Sequence, residues 1–194
     1  MSVAIIVSYS ANNRDVFEQS LPNHRDYSAR HGYELVNIDE PYNCYVDTAR
    51  VRDCLGRYSL VVCMGTDIII RRPEIPLEFF ARDGVAMCPE HGNGTLNGDL
   101  VLFSRGRATG EVLDALDVLQ RQFRHGQEAI NHLYRRGCRG IHSVGKMQIA
   151  APAMNPGVDY SGVDLREYFA LHYHQMGIAP IPAAKAAAMR KELN

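Results

Sequence analysis

The chain has 194 residues, 46% hydrophobic and 22% charged, a size and balance suited to one globular domain that buries most of its unfolded surface. Lysine plus arginine number 21 against 22 aspartate plus glutamate, and the formal net charge of -1 excludes a global electrostatic pull toward nucleic acid or an anionic membrane. Five cysteines (Cys44, Cys54, Cys63, Cys88, Cys138) form no CxxC pair and are odd in number, against both a disulfide scaffold and a zinc knuckle.

The apolar run Val3-Ala4-Ile5-Ile6-Val7 is far too short to span a membrane, has no basic leader and ends in Ser8-Tyr9-Ser10. It reads as a first strand buried on both faces, and the cytosol is the expected compartment. A helix is expected over Asp15 to Arg30, closed by His31-Gly32, and Tyr33 to Ile38 alternates like a second strand, completing a βαβ unit. Asp47 to Tyr58 has helical spacing, and Leu60 to Met64 is a further strand that stops at Gly65-Thr66-Asp67 before the apolar Ile68-Ile69-Ile70. Short strands at Val85–Cys88 and Leu100–Phe103 bracket a glycine-rich loop from Glu90 to Asp99. Glu111 to Arg136 is helical with a break at His125-Gly126. Leu171 to His174 reads as a short strand, and the alanine-rich tail from Ala183 to Leu193 as a helix. Without repeats or a low-complexity linker, residues 1–194 read as a single α/β domain with a mostly parallel sheet and helices on both faces.

Four stretches offer chemistry. Asp67 follows a strand directly and so presents a carboxylate at the sheet edge where open α/β folds place ligands; a turn aspartate bonding nearby amides explains it equally. His172 and His174 share a face if extended and can ligate a divalent metal, or one is a surface residue and the other a satisfied core histidine. The loop His91 to Asp99 permits close backbone approach to a ligand but precedes a strand, so it is no dinucleotide fingerprint; a plain turn is the alternative. Gln127-Glu128 follow the helix break, where Glu128 reaches a reacting centre or merely favours the helix dipole.

In order, these segments resemble the retaining GT-A glycosyltransferases, in particular galactosyl- and mannosyltransferases of the galactomannan and xyloglucan type, and more distantly the glycogenin-like group. Asn23 to Leu35 is similar to the helix and strand that lead out of that family's first nucleotide-binding loop. Met64 to Ile70 falls on its Asp-x-Asp motif with only the second aspartate, Asp67, retained, since Gly65 stands in the first place. Leu96 to Leu102 resembles the Asn-Ser-Gly strand start, Gln127 to Asn131 the start of a later helix with Gly126 replacing an aspartate, and His174-Gln175-Met176-Gly177 a late His-x-x-Gly.

The resemblance implies a GT-A (Rossmann-like nucleotide-diphospho-sugar transferase) domain, and a hexosyltransferase that uses a UDP- or GDP-sugar with retention of configuration. Ser8, Tyr9, Tyr27, Arg50, Thr66, Asp67, Asn97, Gly98 and Gly177 would bind the nucleotide-sugar. Asp67 and His174 would hold Mn²⁺ or Mg²⁺, with Arg50 or Arg52 near the diphosphate. Gln127, Glu128 and Asp99 would act on sugar and acceptor, and an aspartate restored at Gly65 is expected to tighten metal binding. The rivals are an inactive nucleotide-sugar-binding protein of the same fold and a metal-dependent phosphate-handling α/β enzyme.

Overall fold

Strand β1 (Val3–Tyr9) is the centre from which the sheet is laid down, pairing in parallel with β2 (Glu34–Asp39) on one side and β3 (Leu60–Met64) on the other. The computed structural model describes residues 1–40, 46–90, 94–150, 161–173 and 189–191. Beyond β3 lie β6 (Leu96–Ser104), antiparallel to it, then β5 (Val85–Pro89) and β7 (Ile141–Ser143), giving the order β2-β1-β3-β6-β5-β7. β5 is antiparallel to β6 and parallel to β7, so β6 alone runs against the other five. A second sheet, β4-β9-β8, comprises β4 (Ile68–Ile70), β8 (Gln148–Ala150) and β9 (Ala170–His172).

Uninterrupted apolar runs in β1, β3 and β6 reflect cover on both sheet faces. Val3, Ile5, Val7, Leu60, Val62 and Leu102 face Phe17 and Tyr27 of α1 (Arg14–His31). The alternate residues Ile6, Val61, Val101 and Phe103 face α2 (Thr48–Arg57), α3 (Arg107–Leu119) and α4 (Gly126–Arg135). Gly32, at φ 68°, closes α1 as the expected left-handed cap. Among the described cysteines, Cys54, Cys63, Cys88 and Cys138 are free thiols, and burial pushes that of Cys88 up to about 11.

Two element boundaries differ from the sequence reading. The first four residues of β6 were expected in the glycine-rich loop; instead Asn131 holds Leu96 in place, accepting its N–H at 2.7 Å and donating to its carbonyl at 2.8 Å. The long helix, expected to break at His125-Gly126, ends earlier, at Leu119, and resumes at Gly126; just past its end the Gln120 side chain bonds the N–H and carbonyl of Val46 at 3.1 and 3.2 Å. Of the expected tail helix, residues 189–191 are helical and the rest lies outside the described residues.

Helix α1 buries polar side chains as well as apolar ones, and they serve one segment. Asn23 donates to the Ile70 carbonyl at 3.0 Å and accepts its N–H at 2.8 Å, His24 meets the Ile68 carbonyl at 2.8 Å, and Tyr27 donates to that of Ile75 at 2.7 Å. His31 meets the Pro73 carbonyl at 2.8 Å. Among the described strands β4 pairs with β9 alone; Asn23 and His24 satisfy backbone groups along its other edge, and Tyr27 and His31 do so in the segment that follows it.

Burial lowers the pKa of His24 from 6.5 to about 4. Between those values the unfolded chain binds a proton that the folded chain refuses, so stability falls as pH drops from 6.5 toward 4, by up to about 3 kcal/mol. Urea unfolding across this range should show a shallower pH slope in His24→Gln than in the wild type; equal slopes would remove His24 from the acid sensitivity.

Candidate functional site

The site forms where the parallel strands end. β3 runs out at Met64, and the turn Gly65-Thr66-Asp67 follows at the carboxyl edge of the sheet. Because β6 is antiparallel, its beginning lies at this same edge, with Leu100 opposite Met64. The Gly65 N–H donates to the Asp99 carbonyl at 2.6 Å, tying the turn to β6. From the other side β9 pairs Ile68 with His172, and the Tyr173 N–H donates to the Asp67 carbonyl at 2.9 Å.

Asp67, Asp99 and His172 converge there. His172 Nε2 lies 3.5 Å from Asp67 Oδ2 and 3.2 Å from Asp99 Oδ2, and one ligand atom from each residue falls within 4.8 Å of the others. His172 is 1% exposed and Asp67 9%, whereas the Asp99 side chain is 39% exposed, so the cluster opens to solvent on the Asp99 side. Two carboxylates and one imidazole form a doubly negative, mixed oxygen and nitrogen donor set. That fits a divalent transition ion such as Mn²⁺ better than Ca²⁺, which takes oxygen ligands.

A polar network backs this cluster. Buried Asn97 accepts the Asp99 N–H at 2.9 Å and Gln148 Nε2 at 2.5 Å, and its own amide nitrogen lies 3.4 Å from both Glu90 Oε1 and His172 Nδ1. Gln127 accepts the Gly98 N–H at 2.7 Å and donates to Glu90 at 3.2 Å. Gly98 is packed so closely on Gln127 that a Cβ would stand 3.1 Å from its side chain.

The expected residues therefore divide. Asp67, Asn97, Gly98, Asp99 and Gln127 meet at one place, and Thr66 is tied in through Asn13 Nδ2 at 3.3 Å. Ser8 is exposed at the end of β1, beside Tyr9, whose ring stacks on Phe17 at 4.0 Å with the Arg14 guanidinium 5.6 Å over it. Tyr27 packs instead in the core, 1% exposed. Arg50 pairs with Glu40 at 3.2 Å and Asp47 at 3.3 Å, and Arg52 joins α2 to α3 through Asp114 and Asp117. Glu128 is exposed and accepts the Arg124 N–H at 2.9 Å, closing the first turn of α4. His174 and Gly177 lie outside the described residues. Sequence reasoning raised both His172 and His174 as metal ligands from their His-x-His spacing but settled on His174 beside Asp67, and it did not enlist Glu90 or Gln148.

No protein-family model matches the sequence, and no curated protein matches it. In structure the chain is similar to a glycosyltransferase involved in glycosylation of the major capsid of PBCV-1, with 10% identity, a TM-score of 0.69, and 98% of this chain and 100% of that one covered. It is similar to the galactosyltransferase LgtC in complex with donor and acceptor sugar analogs, at 11% identity and TM-score 0.53, covering 97% and 95%. A Drosophila β-1,4-galactosyltransferase 7 mutant complexed with manganese, UDP-Gal and xylobiose is similar at 10% identity and TM-score 0.52, covering 95% and 79%. These likenesses show the fold, a GT-A-like α/β domain as the sequence implied.

Asn131 sets where β6 begins and hence where Asn97 and Asp99 stand. Asn131→Ala leaves the buried Leu96 N–H and carbonyl unsatisfied and should cost roughly 2–4 kcal/mol in chemical denaturation. A loss under about 0.5 kcal/mol, the range of an ordinary surface change, would contradict this anchoring role.

Proposed function

We propose that this chain is a metal-assisted glycosyltransferase that takes a hexose from a UDP- or GDP-sugar and passes it, with retained configuration, to an acceptor. The observation that carries the reading is the Asp67, Asp99 and His172 donor set at the carboxyl edge of this fold. Manganese and UDP-Gal in the Drosophila enzyme, and the donor and acceptor analogs in LgtC, support the same choice of ligands.

Asp67, Asp99 and His172 would hold the ion, which supplies Lewis-acid neutralisation of the charge that builds on the leaving diphosphate. The protein's own part is to hold this set before any donor arrives. Asp67 is fixed through its carbonyl by Tyr173 and through the adjoining β4 by α1, and Asp99 through its backbone by Asn97 and Gly65. Preorganised groups spend no reorganisation energy as charge develops, which is why electrostatic stabilisation is usually the largest catalytic contribution. Asn97, Gly98 and Gln127 form the floor on which the donor sugar rests, with Ser8 and Tyr9 on the nucleotide side. Glu128 acts on the acceptor only if its side chain leaves the Arg124 N–H.

A UDP- or GDP-sugar should raise the melting temperature more with Mn²⁺ than with Ca²⁺ or a chelator, by the equivalent of about 2.7 kcal/mol at a hundredfold excess over Kd. Asp67→Asn and His172→Ala should each remove the metal-dependent part, and the double variant little more, because groups acting through one ion are not additive. His174→Ala beside His172→Ala tells which imidazole serves. Product assays then separate a transferase from an inactive binder, which would show saturable donor binding without turnover. Absence of any shift with the whole donor panel and Mn²⁺ would overturn the reading.

A further inference from the structure

Position 65 is a glycine for a reason that its backbone conformation does not supply, since Gly65 lies outside the left-handed region. The reason is space. A Cβ there would stand 2.9 Å from Asp67 Oδ1, 3.2 Å from Asp99 Cβ and 3.4 Å from the Asp99 carbonyl oxygen. The turn cannot back away, because the Gly65 N–H is bonded to that carbonyl at 2.6 Å and Asp67 is held by Tyr173 at 2.9 Å.

We propose that Asp99 is the second carboxylate of the metal site, supplied from β6 in place of one on the β3 turn, and that carboxylates at positions 65 and 99 exclude each other. The inference rests on the metal-assisted reading above. It reverses the expectation that an aspartate at Gly65 would tighten binding: that side chain would push Asp67 Oδ1 aside and crowd Asp99 off the cluster. Removing the Asp99 side chain takes away the 3.2 Å contact; the Asp99 carbonyl oxygen stays at an ordinary 3.4 Å, and the close contact left is with the end of the Asp67 carboxylate. A carboxylate at 65 can then serve. Asp99 comes from a strand and Gly65 from the facing turn, so their exchange moves one ligand across the β3–β6 pairing without changing the number of ligands or the charge.

The test uses Mn²⁺ alone, with the free ion followed by its aqueous electron paramagnetic resonance signal and folding checked by circular dichroism. The proteins are the wild type, Asp99→Gly, Asp99→Asn, Gly65→Ala, Gly65→Asp and the double variant Gly65→Asp with Asp99→Gly. Loss of a group that holds the ion should weaken binding at least about tenfold in both Asp99 variants. Gly65→Asp should also weaken it, Gly65→Ala should do so without adding charge, and the double variant should recover most of the wild-type affinity. Gly65→Asp binding as tightly as or more tightly than wild type, or a folded double variant no better than Asp99→Gly, would overturn the exchange while leaving the metal site standing. A wild type that does not bind Mn²⁺ would overturn both.

Discussion

The open edge of β4 is the constraint on which the site depends. A three-residue strand paired on one side only has little hold of its own, yet it carries Asp67 at its start. Asn23, His24, Tyr27 and His31 project from successive turns of α1 and meet the backbone at Ile70, Ile68, Ile75 and Pro73. Each such bond contributes modestly, but leaving the buried backbone groups unmet would cost far more. The helix that covers one face of the main sheet thus also fixes the ligand-bearing turn, and fold stability and site geometry rest on the same side chains.

The antiparallel strand does the rest. Had β6 run parallel to β3, its opposite end would lie at this edge; running antiparallel, it delivers Asn97, Gly98 and Asp99 beside Gly65. Asn131 and Gln127 on α4 hold that beginning from behind, while Glu90 at the end of β5 ties Thr95, Asn97 and Gln127 together. The outcome is a cluster in which Asp67 and His172 are buried and Asp99 faces solvent. Under the proposed function, a donor arriving from that side would meet groups already in place.

Much of the fold was legible because buried strands write themselves as apolar runs and glycine marks where α1 stops. Boundaries marked by the bonds of one side chain, as at Leu96 and Gln120, leave no periodic trace. In the site, Asp67 was legible as a carboxylate directly after a strand. Asp99 was singled out for its neighbourhood, but its partnership with Asp67 depends on the β3–β6 register, which spacing does not encode. The segment from Asn23 to Leu35 resembles the stretch that leads out of a nucleotide-binding loop, and Tyr27 was assigned to the nucleotide, because polar residues at fixed helical positions look alike whether they face a ligand or a strand edge. Similarly, spacing put His172 and His174 on one face without telling which of them pairs at the level of Ile68.

On the proposed function, one divalent ion sits among Asp67, Asp99 and His172 and meets the diphosphate there. Crystals grown with Mn²⁺ and UDP, measured at the manganese absorption edge, locate that ion directly. An anomalous peak is expected within ligand distance of all three side chains and of a UDP phosphate oxygen. A UDP molecule bound with manganese elsewhere, or with no manganese touching Asp67, would contradict it.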